Sequence, residues 1–277
     1  MKISDCHNDF LTSILNRREK IEYIKNLKNV KVLCCAVYTT EKNLNIKDIN
    51  RYKDELYILQ TYTKTKLLFT IEDIGFIKSK EDLKSIIKLR PFSVTLCWNY
   101  KNNLCSGALD EGGITPFGEY VVKELEQNNI IIDTAHMNKE SFYDFLKITS
   151  RPIFNSHTNI FSLHKHKRNL NNHQIQQIIN SNGFMGLSIY QYFISNKEIS
   201  SIDIANQINY LIINFGYKNI GFGTDFYGIN ILPKDINNYY DFKKIKKYLL
   251  NYGYTNKIDK KIFFKNFNKF LNLENKK

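Results

Sequence analysis

Histidines and acids stand close together at several points of the sequence, each time at the end of an apolar run. His7 and Asp9 are two residues apart, so on an extended strand their side chains point to the same side. Imidazole and carboxylate groups together bind zinc and similar divalent metals. This pair therefore predicts one half of a metal site.

His136 and His157 end two later apolar runs that one helical pattern separates, so we expect them on adjacent strands. Two imidazoles there can hold a second metal ion. Glu72 ends a third run, and its two carboxylate oxygens could bridge two ions about 3.5–4 Å apart. A hydroxide shared by both ions would make this centre catalytic, because a structural zinc site keeps no open position.

Asp225 and Arg168 extend this set toward a substrate. Asp225 lies in the run GFGTDF at 221–226, where a carboxylate can move protons for the attacking hydroxide or hold an amine. Arg168 follows His157 in the next loop, and its guanidinium could bind a carboxylate as a fork. A solvated charge in the basic loop HKHKR at 164–168 explains Arg168 equally well. If Arg168 binds a carboxylate in this way, Arg168 and Asp225 together predict a small zwitterionic substrate, held at both ends over a metal-bound hydroxide.

Each of these residues also has a simpler explanation. A histidine in an apolar run is more often a core residue than a ligand, Glu72 could start a helix, and Asp225 could cap a turn. The conjunction favours the metal site, because five predicted strands end in residues able to bind metal. The other three histidines, His164, His166 and His173, are expected on the surface.

Eight short apolar runs must position this chemistry, at 1–7, 31–39, 67–72, 92–98, 130–136, 152–157, 183–190 and 219–225. Helical patterns lie between most of them, at 49–63, 80–89, 116–128, 139–148, 173–181 and 202–215, and closing helices are expected at 239–252 and 257–273. Asn138 and Asn172 are the expected N-caps of two of these helices. Strands alternating with helices predict an α/β protein with a (β/α)8 barrel, and a doubly wound open sheet is the alternative. The barrel requires polar chemistry at the carboxyl ends of its strands, where these residues stand.

The charge of the chain is strongly basic, at +13, which raises the hypothesis of a protein that binds nucleic acid or an anionic membrane. Charge alone would not place histidines and acids at strand ends. The lysines are scattered along the whole length, for example Lys20, Lys123 and Lys243, which is typical of a solvated surface. We therefore expect neither nucleic acid nor membrane as a partner.

Cysteine usage and the start of the chain indicate the compartment. The five cysteines are odd in number and include no C-x-x-C, which predicts buried free thiols in a reducing compartment. The start resembles no signal peptide, and no run approaches the roughly 18 apolar residues of a membrane span. We expect a cytoplasmic protein. Four prolines and no Gly/Ser-rich stretch predict a single domain over 1–277.

Motifs in order along nearly the whole chain resemble the zinc-dependent membrane dipeptidase (renal dipeptidase) family, particularly its shorter soluble bacterial members. DCHND at 5–9 resembles the family's opening D-x-H-N-D, TIE at 70–72 its bridging-glutamate strand, and TLCWN at 95–99 the bacterial L-T-W-N segment. GITPFG at 113–118 resembles the start of a helix, DTAH at 133–136 and PIFNSHTN at 152–159 the two histidine strands, RNL at 168–170 the R-N-L that follows, and GFGTDF at 221–226 the family's G-x-G-S-D-F-D-G.

The resemblance implies a metallo-dependent hydrolase barrel that splits dipeptides with a hydroxide activated by two zinc ions per chain. His7 and Asp9 would bind one zinc, His136 and His157 the other, and Glu72 would bridge them. Arg168 would hold the substrate's C-terminal carboxylate, and Asp225 would bind its amino group and transfer protons. Tyr190 and Trp98 would line the pocket. The family also implies a homodimer.

Two departures from the family pattern bear on the substrate. Trp98 stands near the place of a histidine that stabilises the tetrahedral intermediate in the mammalian branch, and Tyr227 replaces the second Asp of D-F-D-G. Trp98 and the basic loop at 164–168 motivate an alternative, a related hydrolase acting on N-acyl amino acids, lactams or lactones.

Overall fold

The computed structural model describes residues 1–40 and 44–274, and in this part of the chain eight parallel strands close into a barrel. The strands are β1 (Ile3–Asn8), β2 (Val30–Tyr38), β3 (Lys66–Glu72), β4 (Ser93–Thr95), β5 (Ile131–Asp133), β6 (Phe154–Thr158), β7 (Phe184–Leu187) and β8 (Ile220–Phe222). They pair in chain order, and β8 returns to β1 through Phe222 and Asp5. The predicted (β/α)8 barrel is confirmed.

Helices cover the outside of the barrel. They are α1 (Phe10–Ser13), α2 (Arg17–Lys25), α3 (Ile46–Gln60), α4 (Lys80–Leu89), α5 (Pro116–Gln127), α6 (Lys139–Ile148), α7 (Asn172–Asn180), α8 (Gln191–Ile194), α9 (Ser201–Phe215), α10 (Phe242–Asn251), α11 (Asn256–Lys260) and α12 (Asn266–Glu274), with a π-helical turn (Lys261–Lys265) joining the last two. The sequence did not predict α2, whose buried residues are only Lys20 and Ile24. So sparse an apolar face leaves little periodicity to detect.

Several strands end earlier than predicted, so four predicted site residues lie beyond their strands. β4 ends before Trp98, β5 before His136, β7 before Tyr190 and β8 before Asp225. His136 and Asp225 have φ angles of 72° and 64°, in the left-handed region that no strand can include. Non-glycine residues held there cost free energy and cluster at functional sites.

Two further predictions were wrong in detail. The N-cap of α7 is Asn171, not Asn172; the Asn171 side chain accepts the backbone N–H of Gln174 in a capping box. Lys20 is not a solvated charge, because it is 2% exposed and donates to Glu55 at 2.7 Å. This ion pair joins α2 to α3, and Ile21 and Tyr23 of α2 also pack against the core.

The amino-terminal end of the barrel is closed by an aromatic floor, made of Phe92, Phe154, Phe184, Phe267 and Phe270. Phe154 and Phe184 begin β6 and β7 and point inward, and Phe267 and Phe270 come from α12. Ring centroids lie 5.0 Å apart for Phe184 and Phe267 and 5.4 Å apart for Phe154 and Phe270. The last helix therefore plugs the barrel with apolar side chains.

The predictions about thiols are confirmed, since all five cysteines are buried and unpaired. Among the helices of the described ranges, none combines the length and the apolar character that crossing a bilayer requires.

Candidate metal centre

Five buried side chains converge at the carboxyl end of the barrel: His7, Asp9, Glu72, His136 and His157. Glu72 lies among the other four. Its Oε1 is 2.6 Å from His136 Nε2 and 3.8 Å from His157 Nε2, and its Oε2 is 3.6 Å from His7 Nε2. Asp9 Oδ2 is 3.3 Å from His7 Nε2. The fold thus brings together all five residues that the sequence singled out as ligands.

These side chains form two overlapping groups that share Glu72. Within each group, His7, Asp9 and Glu72 or Glu72, His136 and His157, the potential ligand atoms lie within 4.8 Å of one another. His7 Nε2 and Asp9 Oδ2 are buried and have no hydrogen-bond partner among the described residues. Buried polar atoms without a partner cost free energy, and a cation between them would satisfy both. The imidazole and carboxylate donors fit a pair of divalent ions such as zinc.

The protonation of the group suits ligands. Burial and the nearby Arg168 lower the pKa of His136 to about 3, and burial with the charge of His7 lowers the pKa of His157 well below its ordinary value. Burial raises the pKa of Glu72, but His7 and His136 outweigh burial and the net pKa is lowered. These groups therefore present nitrogen lone pairs and a carboxylate, the forms that bind metal.

His7 differs from the other two histidines. Burial lowers its pKa, but the charges of Asp9 and Glu72 are stronger and raise it overall. Without a cation, His7 therefore holds a proton that balances two neighbouring carboxylates. A bound metal ion would take over that balance and release the proton.

The far sides of the rings are held by neutral groups. His136 Nδ1 lies 2.9 Å from Asn99 Oδ1. His157 Nδ1 and His7 Nδ1 lie 2.8 Å and 3.3 Å from one oxygen, Ser156 Oγ. Such outer partners orient the ring and fix which nitrogen carries the proton.

Asp225 and Arg168 lie at the rim of this centre. Asp225 Oδ1 is 4.0 Å from His7 Nε2, and burial raises the pKa of Asp225 well above its ordinary value despite the charge of His7. Arg168 is 6% exposed and its Nη2 lies 2.8 Å from His157 Nε2. The alternative that Arg168 is a solvated charge is therefore wrong.

Two aromatic residues stand on the walls above the centre. Trp98 is half-buried, with its ring centroid 6.0 Å from that of His136. Tyr190 is also half-buried and stacks edge-on against Phe193 at 5.0 Å, and Phe193 in turn supports the Arg168 guanidinium at 5.3 Å. Both residues are placed to border the mouth of the barrel.

The remaining histidines lie away from the centre. His173 is exposed and contacts the Tyr143 hydroxyl through Nδ1 at 2.8 Å. His164 and His166 are half-buried in the loop after β6, and the His166 ring packs 4.9 Å from Phe193. His166 Nδ1 also lies 3.2 Å from the backbone N–H of Arg168, so of these three histidines His166 is the one that contacts Arg168 and its Phe193 support.

Asp5 is a structural residue of the site that the sequence reasoning did not assign. Its carboxylate accepts from the backbone N–H and the hydroxyl of Thr224 at 2.8 Å and 2.6 Å, from the backbone N–H of His7 at 3.2 Å and from the Tyr239 hydroxyl. It joins the end of β8 to β1 directly beneath His7. The spacing of two residues between Asp5, His7 and Asp9 was the signal in the sequence that could have revealed Asp5, although β1 is irregular between Asp5 and Asn8 and ends before Asp9.

A match to a known protein family shows to which family this chain belongs. A profile of the membrane dipeptidase family (peptidase family M19) matches residues 5–276. The chain belongs to the membrane dipeptidase family. The predicted family is therefore confirmed over almost the entire sequence.

Solved structures of this family have the same fold. Dipeptidase AC, a metallopeptidase of family M19, is 18% identical with a TM-score of 0.87 and covers 98% of each chain. A metallopeptidase from Rhodobacter sphaeroides, crystallised with a phosphinate mimic of the dipeptide L-Ala-D-Ala, is 17% identical with a TM-score of 0.84 over 98% of this chain and 99% of that one. At these identities the likeness concerns the fold.

Curated relatives are similar over part of their length. An uncharacterised dipeptidase of Schizosaccharomyces pombe is 24% identical over 212 residues, which are 72% of this chain and 51% of the relative. The dipeptidase aclJ of Aspergillus oryzae is 26% identical over 51% of this chain and 34% of its own length. The chain thus spans between a third and about half of these two fungal proteins.

Proposed function

We propose that this protein is a dipeptidase that hydrolyses the peptide bond of free dipeptides with two zinc ions. The observation that carries the proposal is the convergence of His7, Asp9, His136 and His157 on the shared carboxylate of Glu72. His7 and Asp9 would hold one ion, His136 and His157 the other, with Glu72 between them. When bound, such ions lower the pKa of a water molecule and polarise the peptide carbonyl.

Arg168 would bind the C-terminal carboxylate of the dipeptide. Its guanidinium is almost fully buried and stacks on Phe193, which restricts its orientation. Its contact with His157 Nε2 would be released when that nitrogen binds a metal ion, which would free the guanidinium for the substrate. A planar fork pairs with a carboxylate through two parallel N–H donors, and the low dielectric of a buried position strengthens that pairing. This contact would admit substrates that carry a free carboxylate next to the scissile bond.

Asp225 would hold the amino group of the dipeptide and pass a proton to the departing amine. It stands at the rim beside His7, held in the left-handed conformation by the turn that follows β8. Gly228 permits this arrangement, because a Cβ at that position would lie 2.4 Å from both Asp225 Oδ1 and Asp9 Oδ2. Arg168 and Asp225 together would select a short zwitterion over a longer peptide. Trp98 and Tyr190 would border the side chains of such a substrate.

The test combines metal analysis with a substrate panel. The purified protein, loaded with zinc, should contain two zinc ions per chain and release free amino acids from simple dipeptides. Glu72→Gln should lose both properties, whereas His173→Gln, which removes an exposed histidine, should retain them. If the zinc-loaded protein is inert on dipeptides but cleaves N-acyl amino acids, lactams or lactones, then one of those compounds and not a dipeptide is its substrate.

We also propose a cytoplasmic location and a homodimer. The buried free thiols support a reducing compartment, and the dimer rests on family resemblance alone. Fractionation of cells and light scattering of the purified protein would test the two statements separately.

A further inference from the structure

One serine hydroxyl lies behind both halves of the candidate metal centre. Ser156 Oγ is 2.8 Å from His157 Nδ1 and 3.3 Å from His7 Nδ1, and these two rings pack with their centroids 3.8 Å apart. His7 belongs to the group with Asp9, and His157 to the group with His136. A single oxygen atom therefore contacts one histidine from each group.

The geometry determines what this oxygen must do. Both rings direct Nε2 toward Glu72, so a neutral ring that binds metal through Nε2 carries its proton on Nδ1. Each Nδ1–H then needs an acceptor. A hydroxyl oxygen has two lone pairs and can accept both N–H groups, but its own proton must then be donated to a third group.

Asp133 is placed to receive that proton. A carboxylate oxygen of Asp133 lies within 4.8 Å of ring nitrogens of both His7 and His157. Its Oδ1 already accepts the backbone N–H groups of Ala135 at 3.0 Å and Ser156 at 2.9 Å. Burial raises the pKa of Asp133. A hydrogen bond from the Ser156 side chain acts in the opposite direction, because it stabilises the charged carboxylate.

The serine itself cannot move far. It is buried, and its backbone carbonyl accepts from the Cys6 thiol at 3.0 Å. The same carbonyl is so close to Gly223 that a Cβ there would lie 1.6 Å from it. The backbone of Ser156 is therefore held in place, and its hydroxyl lies within hydrogen-bond distance of both rings.

We propose that Ser156 is a positioning residue that orients one histidine in each half of the metal centre, by accepting two Nδ1–H groups and donating its own proton to Asp133. This role rests on the proposed pair of metal ions. His136 is independent of it, because its Nδ1 has a separate acceptor, Asn99 Oδ1, at 2.9 Å. Loss of the Ser156 hydroxyl should therefore weaken both metal ions together, and loss of the Asn99 amide only one.

Zinc affinity measured by competition with a chromophoric chelator, without substrate, tests this. Ser156→Ala should weaken both zinc ions by about 10- to 100-fold each, and Asn99→Ala should weaken one ion by a similar factor. Ser156→Thr, which restores a hydroxyl, should recover the affinity. If Ser156→Ala weakens only one ion or neither, the shared role is overturned.

A spectroscopic measurement separates positioning from a purely structural role. Nitrogen-15 NMR of the histidine rings in the zinc-loaded protein should place protons on Nδ1 of His7 and His157, and Ser156→Ala should change the Nδ1 signals of both while leaving that of His136 in place. Unchanged signals would contradict the proposal. Should Ser156→Ala fail to fold, Asp133→Asn serves instead, because an amide N–H directed at the hydroxyl would displace one of the two rings and weaken zinc.

The outcomes for zinc and for catalysis are distinguishable. If the wild-type protein binds two zinc ions but cleaves no dipeptide, the proposed function fails and the role of Ser156 is still measured. If the wild-type protein binds a third ion that Asp133→Asn abolishes, Asp133 is a ligand together with His7 and His157, and the positioning role is overturned.

Discussion

At the carboxyl ends of the strands, the barrel buries histidines, acids and an arginine, whereas the aromatic floor at the other end buries phenylalanines. The floor is fully satisfied by apolar contact. Within the described part of the chain, the mouth leaves His7 Nε2 and Asp9 Oδ2, which face each other at 3.3 Å, without hydrogen bonds, and it keeps His136 and Asp225 in left-handed conformations. Unpaired polar atoms and strained backbone reduce stability. The difference indicates that the floor stabilises the fold, whereas the arrangement of side chains in the mouth lowers the free energy of unfolding.

The sharpest test of this comparison is the removal of the shared carboxylate in the mouth. Glu72→Gln keeps the shape of the side chain and removes the charge that both groups share, so zinc content and dipeptide hydrolysis should fall by at least about 100-fold, more than an outer partner contributes. Metal analysis and an amino acid release assay measure both. Retention of two zinc ions by this variant would contradict the shared site.

The floor should respond in the opposite way. Phe267→Ala removes a ring that packs on Phe154 and Phe184, and the free energy of unfolding should fall by about 3–5 kcal/mol. Urea denaturation of the metal-free protein measures the change. At low temperature the folded fraction should still bind two zinc ions, and Glu72→Gln should shift the metal-free denaturation midpoint less than Phe267→Ala does.

A smaller effect on the mouth is expected from Arg168→Lys, which retains the charge and loses the planar fork. Because a charged hydrogen bond contributes about 1.5–3 kcal/mol, KM for dipeptides should rise by about 10- to 100-fold, with a smaller change in kcat. Steady-state kinetics decides this. A variant with unchanged KM would show that another group binds the carboxylate.

The smallest effect concerns Asp259, a buried acid on α11, outside both regions. Its two carboxylate oxygens have no hydrogen-bond partner among the described residues, and burial raises its pKa although Lys246 opposes this. The folded protein therefore binds this proton more tightly than the unfolded chain does. Stability is lost as the pH rises past the ordinary value of 3.8 and through the raised pKa.

Asp259→Asn should accordingly raise the free energy of unfolding at pH 7 by about 1 kcal/mol or less. The gain should disappear below pH 4, where both states of the wild-type side chain are protonated. Denaturation at several pH values measures it, and a gain that grows toward acid pH would have the wrong sign.

The sequence predicted the two regions unequally. The alternation of apolar runs and helical patterns predicted the barrel, and residue types at the strand ends predicted His7, Asp9, Glu72, His136 and His157, because both signals are local. The contact of Ser156 with His7 joins positions 149 apart in the chain, which no local pattern contains. The burial of Lys20 likewise depends on Glu55 from another helix. The single domain over 1–277 stays a prediction.

The bonds between Asp5 and Thr224 join positions 219 apart in the chain. Ribosomes make proteins from the amino end, so His7 and Asp9 are synthesised before β8. The Asp5 carboxylate beneath them can pair with Thr224 only once β8 has been made. A nascent chain that has not yet reached β8 therefore contains His7 and Asp9 but lacks the Thr224 hydrogen bonds that hold Asp5 beneath them. The mature arrangement of His7 and Asp9 around the proposed metal ions therefore forms only after β8 has been synthesised.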